Sequence, residues 1–193
     1  MTGGPTILAF DTSAQHCAVA VLRGDTALAS RAEEMARGQA ERLFPLIEAA
    51  LANAGIGWGD IDRIGVGTGP GNFTGIRIAV ASARGLALSL GVPAIGVTTF
   101  DAIRLDAPDA DVAVPAPRGM VYLSRPGAEP VLLPEAEAQG ALRPPAPDVL
   151  ALAVARVAAG ADAAASGAPA PLYLRPADAA PPADAPPEIV DDA

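Results

Sequence analysis

Between Arg63 and Gly91 the chain reads RIGVGTGPGNFTGIRIAVASARGLALSLG, and this stretch restricts the fold more than any other. RIGVG is a short apolar run suited to a buried strand. It opens into the loop TGPGNFTG, so that Gly65, Gly67, Gly69 and Gly71 precede a helix expected from about Gly75 to Leu90, with Gly91 placed to end it. A strand that passes through a glycine-rich turn into a helix calls for a sheet with helices packed against it. Two readings of the glycines stand. Backbone amides at such a turn can cradle an anion at a helix N-terminus. Equally, glycines let strand, loop and helix approach closely. The spacing Gly69-x-Gly71-x-x-x-Gly75 is one residue too long for a dinucleotide fingerprint, and Pro70 removes one amide donor.

The residues around this unit extend it. Thr6–Phe10 and Ala18–Arg23 read as strands, and Gly24-Asp25 is a turn pair from which Thr26–Arg31 can return as a third strand. Leu43, Leu46, Ile47, Ala50 and Leu51 recur at helical spacing, which predicts a helix over 39–54 with a late start or a kink at Pro45. Pro93–Val97 reads as a further strand and Thr99–Leu105 as a short helix. The order βββαβαβ predicts an α/β fold with a mixed five-stranded sheet. Trp58 is expected as a packing cap.

Composition changes near Leu105. Residues 105–193 hold most of the prolines and nearly all of the net charge of −9. Three short strands (Val112–Val114, Val121–Leu123, Val131–Leu133), a helix over 148–159 with Asp148 as its N-cap, and an extended Pro171–Arg175 are expected there. The tail 176–193 is acidic, rich in Pro and Ala, and reads as disordered. The expected division is 1–104 as a first lobe with partner-binding helices, 105–175 as a reduced second lobe, and 176–193 as tail.

Several functions are excluded by what residue types are missing. All thirteen basic residues are arginines. Without lysine there is no Walker-type phosphate loop and no Schiff base. A net charge of −9 disfavours direct nucleic-acid binding. One cysteine and one histidine rule out an internal disulfide, a thiolate cluster and a multi-histidine metal site within one chain. His16 and Cys17 are strand neighbours that point to opposite faces, so they do not form a base–nucleophile pair. MTGGPTILAFDTS lacks a basic n-region, and no stretch reads as approaching ~20 apolar residues, so a cytoplasmic protein is expected. Asp11-Thr12-Ser13 follows the first strand. It could hold a metal-bound phosphate or simply satisfy turn amides.

ILAFDTSAQHCAVAVL, ERLFPLIEAAL and IDRIGVGTGPGNFTGIRIAVASARGLALSLGVPAIGVTTFDAI together resemble the TsaB (YeaZ, Gcp-like) family, continuously over residues 6–104 and again at RGMVYL and PLYLR. The resemblance implies an actin/hexokinase/Hsp70-like (ASKHA, ribonuclease H-like) lobe plus a shortened second lobe. It also implies a non-catalytic scaffold or activating subunit in forming N6-threonylcarbamoyladenosine at position 37 of ANN-decoding tRNAs. The implied partners are TsaD, which performs the transfer, and the ATPase TsaE, with tRNA met only through the complex and a homodimer in isolation. The chain's −9 charge is consistent with leaving tRNA contact to the partner.

Carried onto this chain, the family's pairing helices are 39–54 and 75–90. They nominate Leu43, Leu46, Ile47, Arg77, Val80 and Arg84 as partner-binding residues. Asp11, Thr12, Ser13, Gly69, Gly71 and Thr74 form a candidate residual nucleotide or anion site. No catalytic or metal-binding residue is assigned, since Thr99 and Ile103 stand where TsaD-like relatives place two metal-binding histidines. No tightly bound cofactor is expected, with ATP or ADP at a subunit interface left open. The competing reading is an actin-type ATP-dependent phosphotransferase using Asp11–Ser13 and the 65–75 loop.

Overall fold

Alternation along the first two strands places two apolar faces on one sheet, and the fold follows from covering both. The computed structural model describes residues 4–174. Arg175 and the tail 176–193, with the disorder expected of it, lie outside the described residues. β1 (Thr6–Asp11) pairs antiparallel with β2 (His16–Arg23), which pairs antiparallel with β3 (Thr26–Glu34). On its other side β1 runs parallel to β4 (Arg63–Gly67), and β4 runs parallel to β5 (Ala94–Val97). The resulting order β3-β2-β1-β4-β5 is the mixed five-stranded sheet of an α/β fold that the sequence predicts.

One face, carrying Leu8, Phe10, Cys17, Val19 and Val21, is covered by α1 (Gln39–Ala54) and α2 (Phe73–Leu90). α1 runs from Gln39 with Pro45 inside it, so the late start does not occur. α2 begins two residues before Gly75, because Asn72 caps it: its Oδ1 accepts the Gly75 N–H at 2.9 Å. Trp58, in a 3-10 turn, packs partly buried against this core as expected.

The opposite face carries Ile7, Ala9, Ala18, Ala20 and Leu22. α3 (Thr99–Arg104) is only six residues long and cannot cover it. α4 (Pro147–Gly160) does, through Leu150, Ala151, Val154, Ala155 and Ala158. This alters the expected division at residue 104, because the helix assigned to the second lobe forms a layer of the first. The small side chains explain the choice. A Cβ on Gly65 would stand 2.9 Å from Ala158 Cβ, so only glycine on β4 lets α4 settle so close. Arg63, also on β4, donates through Nη1 to Ala158 O at 2.6 Å and Ala161 O at 2.8 Å, closing the helix end. The N-cap of α4 is Ala146 and not Asp148. Pro147 occupies the first helical position, where its missing N–H costs nothing.

What remains of the second half is a three-stranded antiparallel sheet, β6 (Val112–Ala116), β7 (Met120–Ser124) and β8 (Val131–Pro134). Arg104 ties it to α3 by donating from Nη2 to Ser124 O. The expected extended segment at 171–174 forms no strand. It returns to the first lobe, where the Leu172 N–H donates to Thr68 O at 2.9 Å.

One described helix, α2, is long and apolar enough by length and composition to cross a membrane, with mean hydropathy 1.2 over 18 residues. The sequence reading passed over it. Its Ile76, Ala79, Val80 and Ala83 are buried in the protein interior, while Arg77 and Arg84 are exposed.

Candidate functional site

β1 ends in a carboxylate that the chain itself surrounds. Asp11 Oδ1 accepts the Ser13 N–H at 3.0 Å, the Ser13 Oγ–H at 2.9 Å and His16 Nε2 at 2.6 Å. Thr12 Oγ1 donates to Gly75 O at 2.6 Å, and Ser13 O accepts the Asn72 N–H at 2.6 Å. The 11–13 turn is therefore bonded to the glycine-rich loop. A Cβ on Gly67 would overlap the Asp11 carboxylate, one on Gly71 the Ser13 carbonyl, and one on Gly75 the Thr12 carbonyl. Of the two readings of these glycines, close packing is the one built here.

The structure thus brings together Asp11, Thr12, Ser13 and Gly71 from the nominated anion site, but in mutual contact, while Gly69 faces Ile76 and accepts the Thr99 N–H. Thr74 is apart from them. It lines a separate hollow of ≈ 420 Å³ with Gly38, Gln39 and Asn72. His16 and Cys17 do point to opposite faces: Cys17 lies in the core beneath α1, and His16 bonds Asp11. Burial, with the nearby Glu33 carboxylate adding to it, pushes the Cys17 thiol up to about 12, so it is no nucleophile near neutral pH. Among the described residues there is no group of three metal-ligating side chains.

Above the Asp11 turn lies a cleft of ≈ 450 Å³. Ser13, His16 and Gly71 form one wall, Val114 and Tyr122 another, and Pro144, Pro145 and Leu150 a third. Spacing gave no signal of it, because its walls meet only when the β6–β7 sheet and α4 return to β1.

The nominated partner residues divide in two. Leu43, Leu46, Ile47 and Val80 are buried in this chain's own interior and present nothing to a partner. The apolar stripe that marks a helix in sequence is the stripe its own sheet takes up first. The outward residues of the same helices include Phe44 (41% exposed) and Pro45 on α1, with Arg77, Arg84, Gly85 and Leu88 (86% exposed) on α2. Arg77 carries a further constraint that sequence reasoning missed. Its guanidinium lies 3.8 Å above the Phe73 ring and its Nε donates to Tyr173 Oη at 2.8 Å. The two rings are 5.0 Å apart.

Comparison with known proteins gives a consistent placement. The family model for TsaD, tRNA N6-adenosine threonylcarbamoyltransferase, matches residues 29–128, just over half of the chain. A tRNA threonylcarbamoyladenosine biosynthesis protein TsaB from Haemophilus influenzae is 39% identical over 100 residues, 51% of this chain and 41% of that protein. The protein of that name from Bacillus subtilis is 33% identical over 121 residues, 61% of this chain and 53% of the other. The chain thus spans about half the length of these curated relatives. The solved YeaZ from Pseudomonas aeruginosa superposes with a TM-score of 0.68 at 28% identity, covering 88% of this chain and 100% of that one. Motif, sheet order and superposition agree, and the chain belongs to the TsaB/YeaZ family within the group that the threonylcarbamoyltransferase model describes.

Proposed function

We propose that this chain is a non-catalytic scaffold or activating subunit in the formation of N6-threonylcarbamoyladenosine at position 37 of ANN-decoding tRNAs. It acts in the cytoplasm and pairs with TsaD and TsaE. The observation that carries this reading is the outward face of α1 and α2. Their inner faces are spent on the sheet, yet Leu88 and Phe44 stand in solvent, with Arg84 beside a flat Gly85. Exposed apolar residues with arginine nearby fit the core and rim of an interface. The same face serves a homodimer in isolation, with ATP or ADP at the contact. Pairing favours the partner's active conformation by binding it more tightly than the inactive one. A net charge of −9 leaves tRNA contact to the partner.

The phosphotransferase reading has less support. Three donors of this chain already occupy Asp11 Oδ1, and among the described residues no arginine lines the cleft above it.

Size-exclusion chromatography with light scattering tests the proposal, on the chain alone and mixed with TsaD of the same organism. A 1:1 complex that Leu88→Asp abolishes without altering thermal unfolding supports the scaffold. No complex with the wild type, or a complex indifferent to Leu88→Asp and Phe44→Asp, overturns it.

A further inference from the structure

α2 carries one narrow outward stripe. Phe73, Arg77, Ala81, Arg84 and Leu88 follow one another at intervals of three and four residues, fall on one side of the helix and are all exposed. The helix contains two arginines and no acidic residue. Leu88 is the most exposed large hydrophobic among the described residues. Among those residues neither Arg77 nor Arg84 pairs with a carboxylate. Arg77 uses Nε for Tyr173 and lies over the Phe73 ring, which leaves its two Nη groups for another acceptor.

The described chain ends at this stripe. Tyr173 is bonded to Arg77 and stacked on Phe73, one residue before Leu174, the last described residue. Segment 175–193 is therefore attached beside the N-terminal end of α2. Beyond Arg175 it holds five acids, no basic residue, five prolines and one aliphatic pair, Ile189-Val190. Its spacing matches the stripe. Asp184 and Glu188 are four residues apart, which is ~12 Å at the ~3.1 Å per residue of extended proline-rich chain. Arg77 and Arg84 are separated by ~10.5 Å of helix, at ~1.5 Å per residue. Leu88 lies ~6 Å further along the axis. Ile189 and Val190 follow Glu188 by ~3–6 Å. Residues 175–183 supply ~28 Å of chain in which to turn back from Tyr173. Single surface ion pairs are weak, but attachment to the same chain makes the encounter intramolecular, at a millimolar effective concentration. The prolines have a fixed φ, so less backbone freedom is lost on docking.

We propose that segment 184–190 of this chain docks along α2, with Asp184 on Arg77, Glu188 on Arg84 and Ile189-Val190 against Leu88, and that a partner must displace it to reach the α1–α2 face. The docking stands on this chain alone. Its effect on pairing rests on the scaffold reading.

Paramagnetic relaxation in the full chain tests the docking. A nitroxide is attached at Ala193→Cys, and Cys17, buried in the core beneath α1, stays unlabelled. At a dilution where light scattering returns the monomer mass, the amides of residues 86–90 are expected to broaden more than those of 73–77, although the latter lie nearer the attachment point. Asp184→Asn combined with Glu188→Gln, or high salt, should reverse that order. Both substitutions fall outside the described fold. Three results overturn the docking: broadening that favours 86–90 at no dilution, broadening centred on 120–132, and broadening passed to nitroxide-free chains in a mixture, which would be the tail of a second copy. Pairing with TsaD is the second readout. If the tail covers α2 in about four of five molecules, the neutralised variant should pair about fivefold more tightly, because apparent affinity scales with the fraction of free face. Equal affinities overturn the competition. No pairing by either protein sinks the scaffold reading alone, and the broadening still decides the docking.

Discussion

Asp11 and His16 form a buried pair, Oδ1 to Nε2 at 2.6 Å, across the turn that joins the first two strands. Ser13 donates twice to the same oxygen, so three donors converge on it. Removing the carboxylate strands several buried donors together. Asp11→Ala should cost about 2–4 kcal/mol, since each buried donor left without a partner costs ~1–3 kcal/mol. Urea unfolding of the two proteins measures the difference, and a cost under ~1 kcal/mol would show that the turn does not depend on Asp11.

Two glycine-to-alanine changes should act in opposite directions. Gly67→Ala drives a Cβ into the Asp11 carboxylate, and the expected loss is at least ~3 kcal/mol or failure to fold. Gly85→Ala meets open space on the outer side of α2 and should stabilise by ~0.5–1 kcal/mol, the helix-interior difference between the two residues. Thermal melts followed by circular dichroism separate the two.

Arg63→Ala should release the C-terminal end of α4. The guanidinium reaches three terminal carbonyls, and hydrogen bonds from a charged donor contribute ~1.5–3 kcal/mol. Amide exchange is the direct measurement, with protection falling first at the α4 end and at the adjoining Val154–Ala158 face.

Cys17 should resist alkylation. With its thiol pushed up to about 12 and its side chain sealed under α1, iodoacetamide at pH 8 should leave it unmodified in native protein and label it fully in urea. Rapid native labelling would mean that α1 opens readily from the sheet.

Glu33 on β3 accepts both forks of Arg42 on α1 at 2.6 Å, and that bond holds its carboxyl below the ordinary value of 4.5. A lowered native value means that the pair's contribution is complete above pH 4.5 and fades as acid carries the pH through the native value. Glu33→Gln should therefore be less stable than wild type at neutral pH and equal to it in strong acid. The pair is solvent-exposed, so the neutral-pH gap should be small and shrink further in salt.

Much of the first lobe was legible because its signals are local. Ile7, Ala9 and Leu8, Phe10 alternate between faces, and the 39–54 periodicity marks a helix whichever partner it meets. The glycine-rich loop between β4 and α2 also reads directly, since it joins neighbouring elements. Which apolar faces the chain buries against itself is not written in any local pattern. Periodicity identified Leu43, Leu46 and Ile47 as an apolar face, but not that the chain's own β1 and β2 would cover it before any partner could. The outward Phe44 and Leu88 lie between those signals and carry no period of their own. The layer that α4 joins is not legible in sequence, because Gly65 and Ala158 are distant in the chain and reveal their fit only in contact.

The same holds for the sites. Asp11, Thr12 and Ser13 were visible as a polar turn, but their use of Gly67, Gly71 and Gly75 as contact surfaces depends on interatomic distances that composition does not encode. The sequence by itself determined the secondary structure of the first lobe and the exclusion of lysine, disulfide and multi-histidine chemistry. Only the tertiary structure decided which helix faces remain free, how Tyr173 reaches Arg77, and that His16 is tied to Asp11. Each of those outcomes depends on residues far apart in the chain competing for the same few ångströms, and the packing, not the local pattern, settles the competition.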